Sequence, residues 1–228
     1  MSDVLTYAAR AVPWWRLGMA VALVVIIMEL VRWHPWSLWP LEGAAVGLLA
    51  GAAAWCVDEQ SATVVDAAPR GLGWRTGVRL TGVAVLAVTW AALVAHAHQA
   101  VFGHAVTVLL HGWVAILAGL AWGTWRRSRG EAMPGLAAAS VAVPLATAWA
   151  LIRPWEHRVP LFPYGQYGVE SDWRTSTVIW SGLGVVALGV LGAALWGRAR
   201  WSVRREPVRR SPVHDSPSHP YHPSLDPP

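Results

Sequence analysis

The sequence has a single cysteine, no lysine and few charged residues of either sign. Charged side chains make up 14% of the 228 residues, whereas a soluble domain usually carries about 25%. Cys56 has no second cysteine to pair with, which excludes an intramolecular disulfide. All 18 basic residues are arginine, a composition that we attribute to the base bias of a GC-rich bacterial genome. No polar stretch is long enough to form a separate soluble domain.

Most of the chain consists of long apolar runs. Hydrophobic residues make up 55% of the chain, which predicts an all-α polytopic membrane protein. We predict six transmembrane helices, each near the roughly 20 residues that cross a bilayer, at about residues 17–33, 38–56, 80–99, 104–125, 133–152 and 177–197. Residues 1–200 then form one six-helix transmembrane domain with an exterior segment at 153–176. Residues 201–228 are predicted to be a disordered, basic and proline-rich cytoplasmic tail.

The arginines predict how the chain is oriented. If both termini are cytoplasmic, 14 of the 18 arginines lie on the cytoplasmic side. Cytoplasmic loops of membrane proteins carry such an excess, so we predict a multi-pass protein of the bacterial cytoplasmic (inner) membrane. The arginines cluster in loops on one side of the membrane, a pattern that indicates the lipid bilayer as a partner and argues against nucleic acid.

The segment 58–69, between the second and third spans, is predicted to be a short amphipathic helix on the cytoplasmic side. Asp58 is suited to cap its start, and Pro69 to end it. One face of the helix is apolar because small residues recur at helical spacing, namely Ala62, Val65 and Ala68. Such a face needs a cover, which could be the headgroup layer or a protein that docks from the cytoplasm.

The second span carries a stripe of glycines. Gly43, Gly47 and Gly51 are four residues apart, so they share one helix face that is nearly bare backbone. We interpret the stripe as a helix packing surface. Packing within the bundle and an interface with another chain both remain open.

A few residues within the spans are candidates for lining a substrate pathway. They are Trp90, His111, Trp113 and Pro144. A polar residue as deep as His111 normally faces a cavity or a partner. Nearer the outer boundary, Glu29 and Arg32 are expected to pair on one helix face, and Glu42 is expected to lie among the headgroups.

Four histidines near one membrane boundary offer a different interpretation. They are His96, His98, His104 and His111. Imidazole groups bind copper, zinc or haem, so a histidine-ligated metal or haem protein is an alternative. Against it, no cysteine or methionine accompanies the histidines, and histidines are common at membrane boundaries.

Six spans, the cytoplasmic helix and the exterior segment together resemble the permease subunit of an exporter-type (type-2) ABC transporter. The loop DEQSATVVDAAPRGLGWRTGVRL (residues 58–80) is similar to that family's pattern of an acidic residue, a small-residue helix, a proline and basic residues before the third span. The resemblance implies that this helix is a coupling helix, which docks on a separate ATP-hydrolysing subunit. By position, the residues that form or flank the contact are Asp58, Glu59, Ala62, Asp66, Pro69, Arg70 and Arg75.

The resemblance further implies a mechanical function. ATP and Mg²⁺ bind the partner subunit, whose motion drives alternating access for a substrate that the sequence does not identify. We therefore expect no enzymatic activity and no directly bound cofactor in this chain, which has no P-loop lysine, HExxH, CxxC or GxSxG motif. A single six-span chain is half of a pathway, so a second permease chain, identical or different, is expected. A non-transporting accessory subunit of a membrane complex is a further alternative.

Overall fold

The computed structural model describes residues 11–59, 72–153, 158–163 and 170–203, and all regular structure in these ranges is helical. Two short 3₁₀ helices, Pro35–Ser37 and His98–Val101, precede the second and fourth α-helices. The described α-helices are α1 Trp14–Trp33, α2 Leu38–Trp55, α3 Leu72–His96, α4 Ala105–Ser128, α5 Pro134–Ile152 and α6 Glu170–Val203. The predicted all-α class is confirmed for these ranges.

Among the described residues, five helices are long and apolar enough to cross a membrane. Their apolar stretches are Trp14–Trp33, Gly73–His96, Ala105–Ser128, Pro134–Ile152 and Glu170–Trp196. Helix α2, where the second span was predicted, contributes the shorter apolar stretch Pro40–Trp55. The described part of the chain is therefore that of a polytopic helical membrane protein with five candidate spans and one shorter apolar helix.

Two helices begin earlier than the apolar runs predict. Helix α3 begins at Leu72 and not near residue 80, because it continues through arginines that are buried rather than solvated. Helix α6 begins at Glu170 and not near residue 177, and the acids in its first turn, Glu170 and Asp172, favour a helix start. Of the predicted helix 58–69, only Asp58 and Glu59 are described; the rest, like the predicted tail from residue 204, lies outside the described residues.

Helix α2 lies at the centre of the bundle. It packs most extensively against α5, then against α4, and α4 in turn packs against α6. The predicted glycine stripe faces α5, where a Cβ on Gly47 would lie 2.8 Å from Val143 Cα and one on Gly51 would lie 2.9 Å from Ala139 Cβ. Gly43 meets Ala150 in the same way. The stripe therefore packs within the bundle, where only glycine lets the two backbones approach this closely.

The two ends of the bundle differ in their basic side chains. We call one end the arginine-rich end, where Arg16, Arg75, Arg79 and Arg127 lie near the C-terminus of α2. We call the opposite end the histidine-rich end, where α1 leads into α2, α3 into α4, and α5 into α6. The candidate sites lie one at each end.

Candidate functional site

At the arginine-rich end, three arginines surround the carboxylate of Glu59. Arg75 Nη1 donates to Glu59 Oε2 at 2.9 Å, Arg79 Nη2 lies 3.0 Å from Oε1, and Arg127 Nε donates to Oε2 at 3.1 Å. All four side chains are buried. Buried charges require such partners, since removing one side of a buried pair leaves an uncompensated charge. The cluster connects Glu59, which lies four residues after the end of α2, to both α3 and α4.

Asp58 extends these ties to two more helices. Its Oδ1 accepts a hydrogen bond from the backbone N–H of Gly135, at the start of α5, at 2.6 Å. Its Oδ2 lies 3.6 Å from Nη1 of Arg16 on α1. Burial raises the pKa of Asp58 to about 6. The dipeptide Asp58–Glu59 therefore contacts α1, α3, α4 and α5.

Three of the residues predicted to form or flank the coupling contact are described. The side chain of Asp58 accepts a hydrogen bond from Gly135 at the start of α5, while the residues that it was predicted to cap lie outside the described ones. Asp58, Glu59 and Arg75 are buried in contacts within the chain, and their part in the coupling contact stays a prediction. The other residues predicted to form or flank the coupling contact lie outside the described residues, namely Ala62, Asp66, Pro69 and Arg70.

At the histidine-rich end, a chain of hydrogen bonds joins four parts of the fold. Glu42 Oε1 of α2 lies 2.7 Å from His111 Nδ1 of α4, and His111 Nε2 lies 3.0 Å from Ser176 Oγ of α6. The Ser176 hydroxyl also donates to the carbonyl oxygen of Leu161 at 3.0 Å. We call this chain the Glu42–His111–Ser176 relay. Leu161 belongs to the connection between α5 and α6, so that connection is held to the helices beneath it.

The relay is closed off from its surroundings. The side chains of Glu42, His111 and Ser176 are each 0% exposed. The Trp180 ring stacks on His111 with the centroids 4.9 Å apart, and Phe162 approaches His111 edge-on at 6.1 Å. The expected position of Glu42 among the headgroups is therefore wrong, because this carboxyl lies inside the bundle and pairs with His111. One oxygen, Glu42 Oε2, has no hydrogen-bond partner.

A serine, a histidine and a carboxylate in this order invite comparison with a hydrolase triad. In such a triad the histidine accepts the proton of the serine hydroxyl. Here Ser176 donates its hydroxyl proton to Leu161 instead, and the fully buried oxygen has no room for a substrate carbonyl. The relay holds the α5–α6 connection and is not arranged to activate Ser176 as a nucleophile.

The four histidines have separate contacts. His96 Nε2 lies 3.0 Å from Glu29, which also pairs with Arg32 as expected, and His104 stacks on Trp173. His98 contacts the carbonyl oxygen of Ala95 at the end of α3. In the described ranges, no group of three histidine, cysteine or acidic side chains is arranged to hold a metal ion. A surface pocket of about 290 Å³ lies beside His96, but Glu29 already balances the charges there.

The candidate pathway residues lie in three different environments. Trp90 of α3 is 0% exposed, and its indole N–H points at the carbonyls of Val108 and Leu109 on α4, at 3.3 and 3.2 Å. Trp113 of α4 is 46% exposed and donates to the carbonyl of Ala87 on α3 at 3.2 Å. Pro144 lies inside α5. The hydrogen bonds of the two tryptophans therefore hold α3 and α4 together.

Comparison of the chain with protein-family models, curated proteins and solved structures found no match. The candidate function is therefore argued from the two sites. Sequence reasoning missed Glu42 as the partner of His111 and Arg127 as a partner of Glu59. A buried partner for Glu42 could have been predicted from the sequence, because an ionisable residue near the start of an apolar helix needs a partner, as His111 does.

Proposed function

We propose that this chain is the permease subunit of an exporter-type (type-2) ABC transporter, which moves a substrate across the cytoplasmic membrane. In this proposal the arginine-rich end faces the cytoplasm, the shorter helix α2 completes the set of six spans, and the coupling helix is the predicted helix 58–69, most of which falls in segment 60–71. ATP and Mg²⁺ bind a separate subunit, and the closure of that subunit on ATP drives the conformational change of this chain. The observation that carries the proposal is how the two ends of segment 60–71 are anchored.

The residues that flank this segment are fixed by the same ion-pair cluster. Glu59 precedes the segment, and Arg75 and Arg79 follow it on α3. Arg127 joins the cluster from α4, and the neighbouring Asp58 adds α5 through Gly135. A displacement of the segment would therefore reach α3, α4 and α5 together, because packed and paired elements move as rigid bodies.

The packing of α2 also fits a pathway shared between two chains. Within one chain, α2 and α5 touch along the glycine stripe, which leaves no room for a substrate between them. The opposite side of α5 is apolar and exposed, with Val141 and Leu145 both more than half accessible. We therefore place the pathway between this chain and a second permease chain, with the exposed side of α5 as part of its lining. Substrate sites of transporters commonly lie at such an interface between halves.

The first test is co-purification from the native host in mild detergent. The tagged chain is expected to bring with it a nucleotide-binding subunit, identified by mass spectrometry and by ATP hydrolysis of the complex. The combined change Asp66→Arg and Ala62→Trp, both within segment 60–71, is expected to remove that subunit while the chain itself elutes unchanged.

A matched control reverses an acid at the other end of the bundle. Glu170→Arg alters an exposed residue in the first turn of α6, and the subunit should stay bound. If intact, monodisperse preparations of the unmodified chain carry no ATP-hydrolysing subunit, the proposal fails. Loss of the subunit from the Glu170→Arg chain as well would show that the segment is not the docking point.

A further inference from the structure

The direction of each hydrogen bond in the Glu42–His111–Ser176 relay follows from its last member. The Leu161 carbonyl can only accept, so the single hydroxyl proton of Ser176 is used in that bond. The oxygen of Ser176 must then accept from His111, which requires a proton on Nε2. The short contact between His111 Nδ1 and Glu42 Oε1 needs one more proton, on either atom.

The intact relay therefore contains a bound proton. With protons on Nε2 and between Nδ1 and Oε1, Glu42 and His111 together carry no net charge, whether they exist as an ion pair or as two neutral groups. Without the second proton the pair would carry one negative charge. His111 and Ser176 each lie six residues from the start of their helices, about 9 Å along the axis, and an unbalanced charge buried at that depth is costly.

Loss of the proton would break one particular bond. The proton that remains on the imidazole would stay on Nδ1, because a bare Nδ1 facing a carboxylate is repulsive. Nε2 would then be an acceptor, and the hydroxyl of Ser176 would turn from Leu161 to His111. Among the described residues, the Leu161 carbonyl would then keep the donor from Trp180, at 2.9 Å.

We propose that the Glu42–His111 pair is a proton-binding site, and that release of its proton loosens the α5–α6 connection at Leu161. The site couples the protonation of two buried groups to the position of Leu161 and Phe162, the residues that cover it. This inference does not depend on the proposed ABC function, and its test uses the purified chain alone.

Other ionisable groups at the histidine-rich end could contribute to a pH response. On or beside the helices packed around the pair, the described ones are Glu29, Arg32, His34, His96, His98, His104, Arg153, Arg158, Glu170, Asp172 and Arg174. His104 is the most useful for a control because it is an imidazole side chain at the same end of the bundle. It stacks on Trp173 and takes no part in the relay.

The test follows the motion of the α5–α6 connection with a spin label. Arg158 is exposed in that connection, so Arg158→Cys provides the attachment site. Cys56 is buried, and burial raises its pKa to about 12, so it is expected to remain unlabelled. Label mobility is then measured by electron paramagnetic resonance from about pH 5 to about pH 9, the range around the usual titration of histidine.

The mobile fraction is expected to rise with pH along a one-proton curve. Glu42→Gln should abolish this rise and keep the label immobile, because the amide NH₂ can donate to Nδ1 at any pH. Ser176→Ala should give a mobile label at every pH, and this small change decides the question if Glu42→Gln does not fold. His104→Gln should retain the full pH response. A label whose mobility does not change with pH in the otherwise unmodified chain, an unaltered response in Ser176→Ala, or a response lost in His104→Gln would each overturn the proposal.

Discussion

Glu59 and Arg127 meet at the arginine-rich end although 68 residues separate them in the chain. Oε2 of Glu59 lies 3.1 Å from Nε and 2.5 Å from Nη2 of Arg127, and neither side chain is accessible to solvent to any useful extent. Because Arg75 and Arg79 share the same carboxylate, this one acid links α2 to two other helices. The stability of the arginine-rich end is therefore expected to depend on Glu59 more than on any surface charge.

Glu59→Gln tests that dependence. The amide has nearly the same shape, but it removes the negative charge that the buried guanidinium groups of Arg75, Arg79 and Arg127 share. We expect a loss of about 3 to 5 kcal/mol, the usual cost of breaking a buried ion pair from one side, measured by thermal unfolding in detergent. Glu131→Gln is the matched control, since the Arg126–Glu131 pair is partly exposed and should contribute about 1 kcal/mol or less. Equal losses from the two changes would mean that the buried cluster is not an anchor.

Asp58 is expected to make stability depend on pH. Burial raises its pKa from 3.8 to about 6 in the folded chain, so folding favours the protonated acid. Its contribution is complete below about pH 4 and is lost as the pH rises through about 6, at a cost of at most about 3 kcal/mol. Asp58→Asn keeps an oxygen that can accept from Gly135 and removes the titration.

The measurement for Asp58 is the difference in unfolding temperature between Asp58→Asn and the unmodified chain from about pH 4 to about pH 7. The unmodified chain should lose stability relative to the variant as the pH rises. A constant difference across that range would show that Asp58 does not titrate there.

The helices could be predicted from the sequence where hydropathy alone decides their ends. Helices α1 and α5 lie close to the predicted runs because their ends coincide with a change from apolar to polar residues. Helix α3 extends further toward the N-terminus than hydropathy predicts. Hydropathy assigns Arg75 and Arg79 to a loop, but their charges are balanced by Glu59, so they can lie in a buried helix. That neutralisation depends on a contact across the fold, which a local pattern does not contain.

The candidate sites could be predicted only in part for the same reason. The depth of His111 in its helix indicated a cavity or a partner, and the structure gives it a partner. The identity of that partner, Glu42, depends on α2 and α4 being neighbours, and periodicity does not say which helices touch. The sequence does not single out Ser176, because serines are common in apolar helices. Its role depends on its hydrogen bond with the carbonyl oxygen of Leu161, which only the folded structure shows.

The glycine stripe predicts which small residues tolerate no enlargement. A Cβ on Gly47 would lie 2.8 Å from Val143 Cα and 2.9 Å from the carbonyl oxygen of Ala142, both of which are backbone atoms. Gly47→Ala should therefore force α2 and α5 apart at a cost of about 1 to 3 kcal/mol, seen as a lower unfolding temperature. At Gly182 nothing lies within 4 Å of the added carbon, so Gly182→Ala should be neutral. If Gly47→Ala is equally neutral, the close contact of α2 with α5 is not present in solution.

Substitutions at Trp90 and Trp113 test whether each side chain has a structural role or lines the proposed pathway. Trp90 is fully buried between α3 and α4, where Trp90→Phe removes its indole N–H and leaves a small void. We expect it to lower stability by about 1 to 3 kcal/mol. Trp113 has an accessible ring, so Trp113→Phe should cost about 1 kcal/mol or less, and any effect on transport should exceed its effect on stability. Unfolding temperature and transport measured on both variants at one temperature decide between the roles. A Trp90→Phe chain that unfolds normally but has lost the proposed transport activity would favour a pathway role for Trp90.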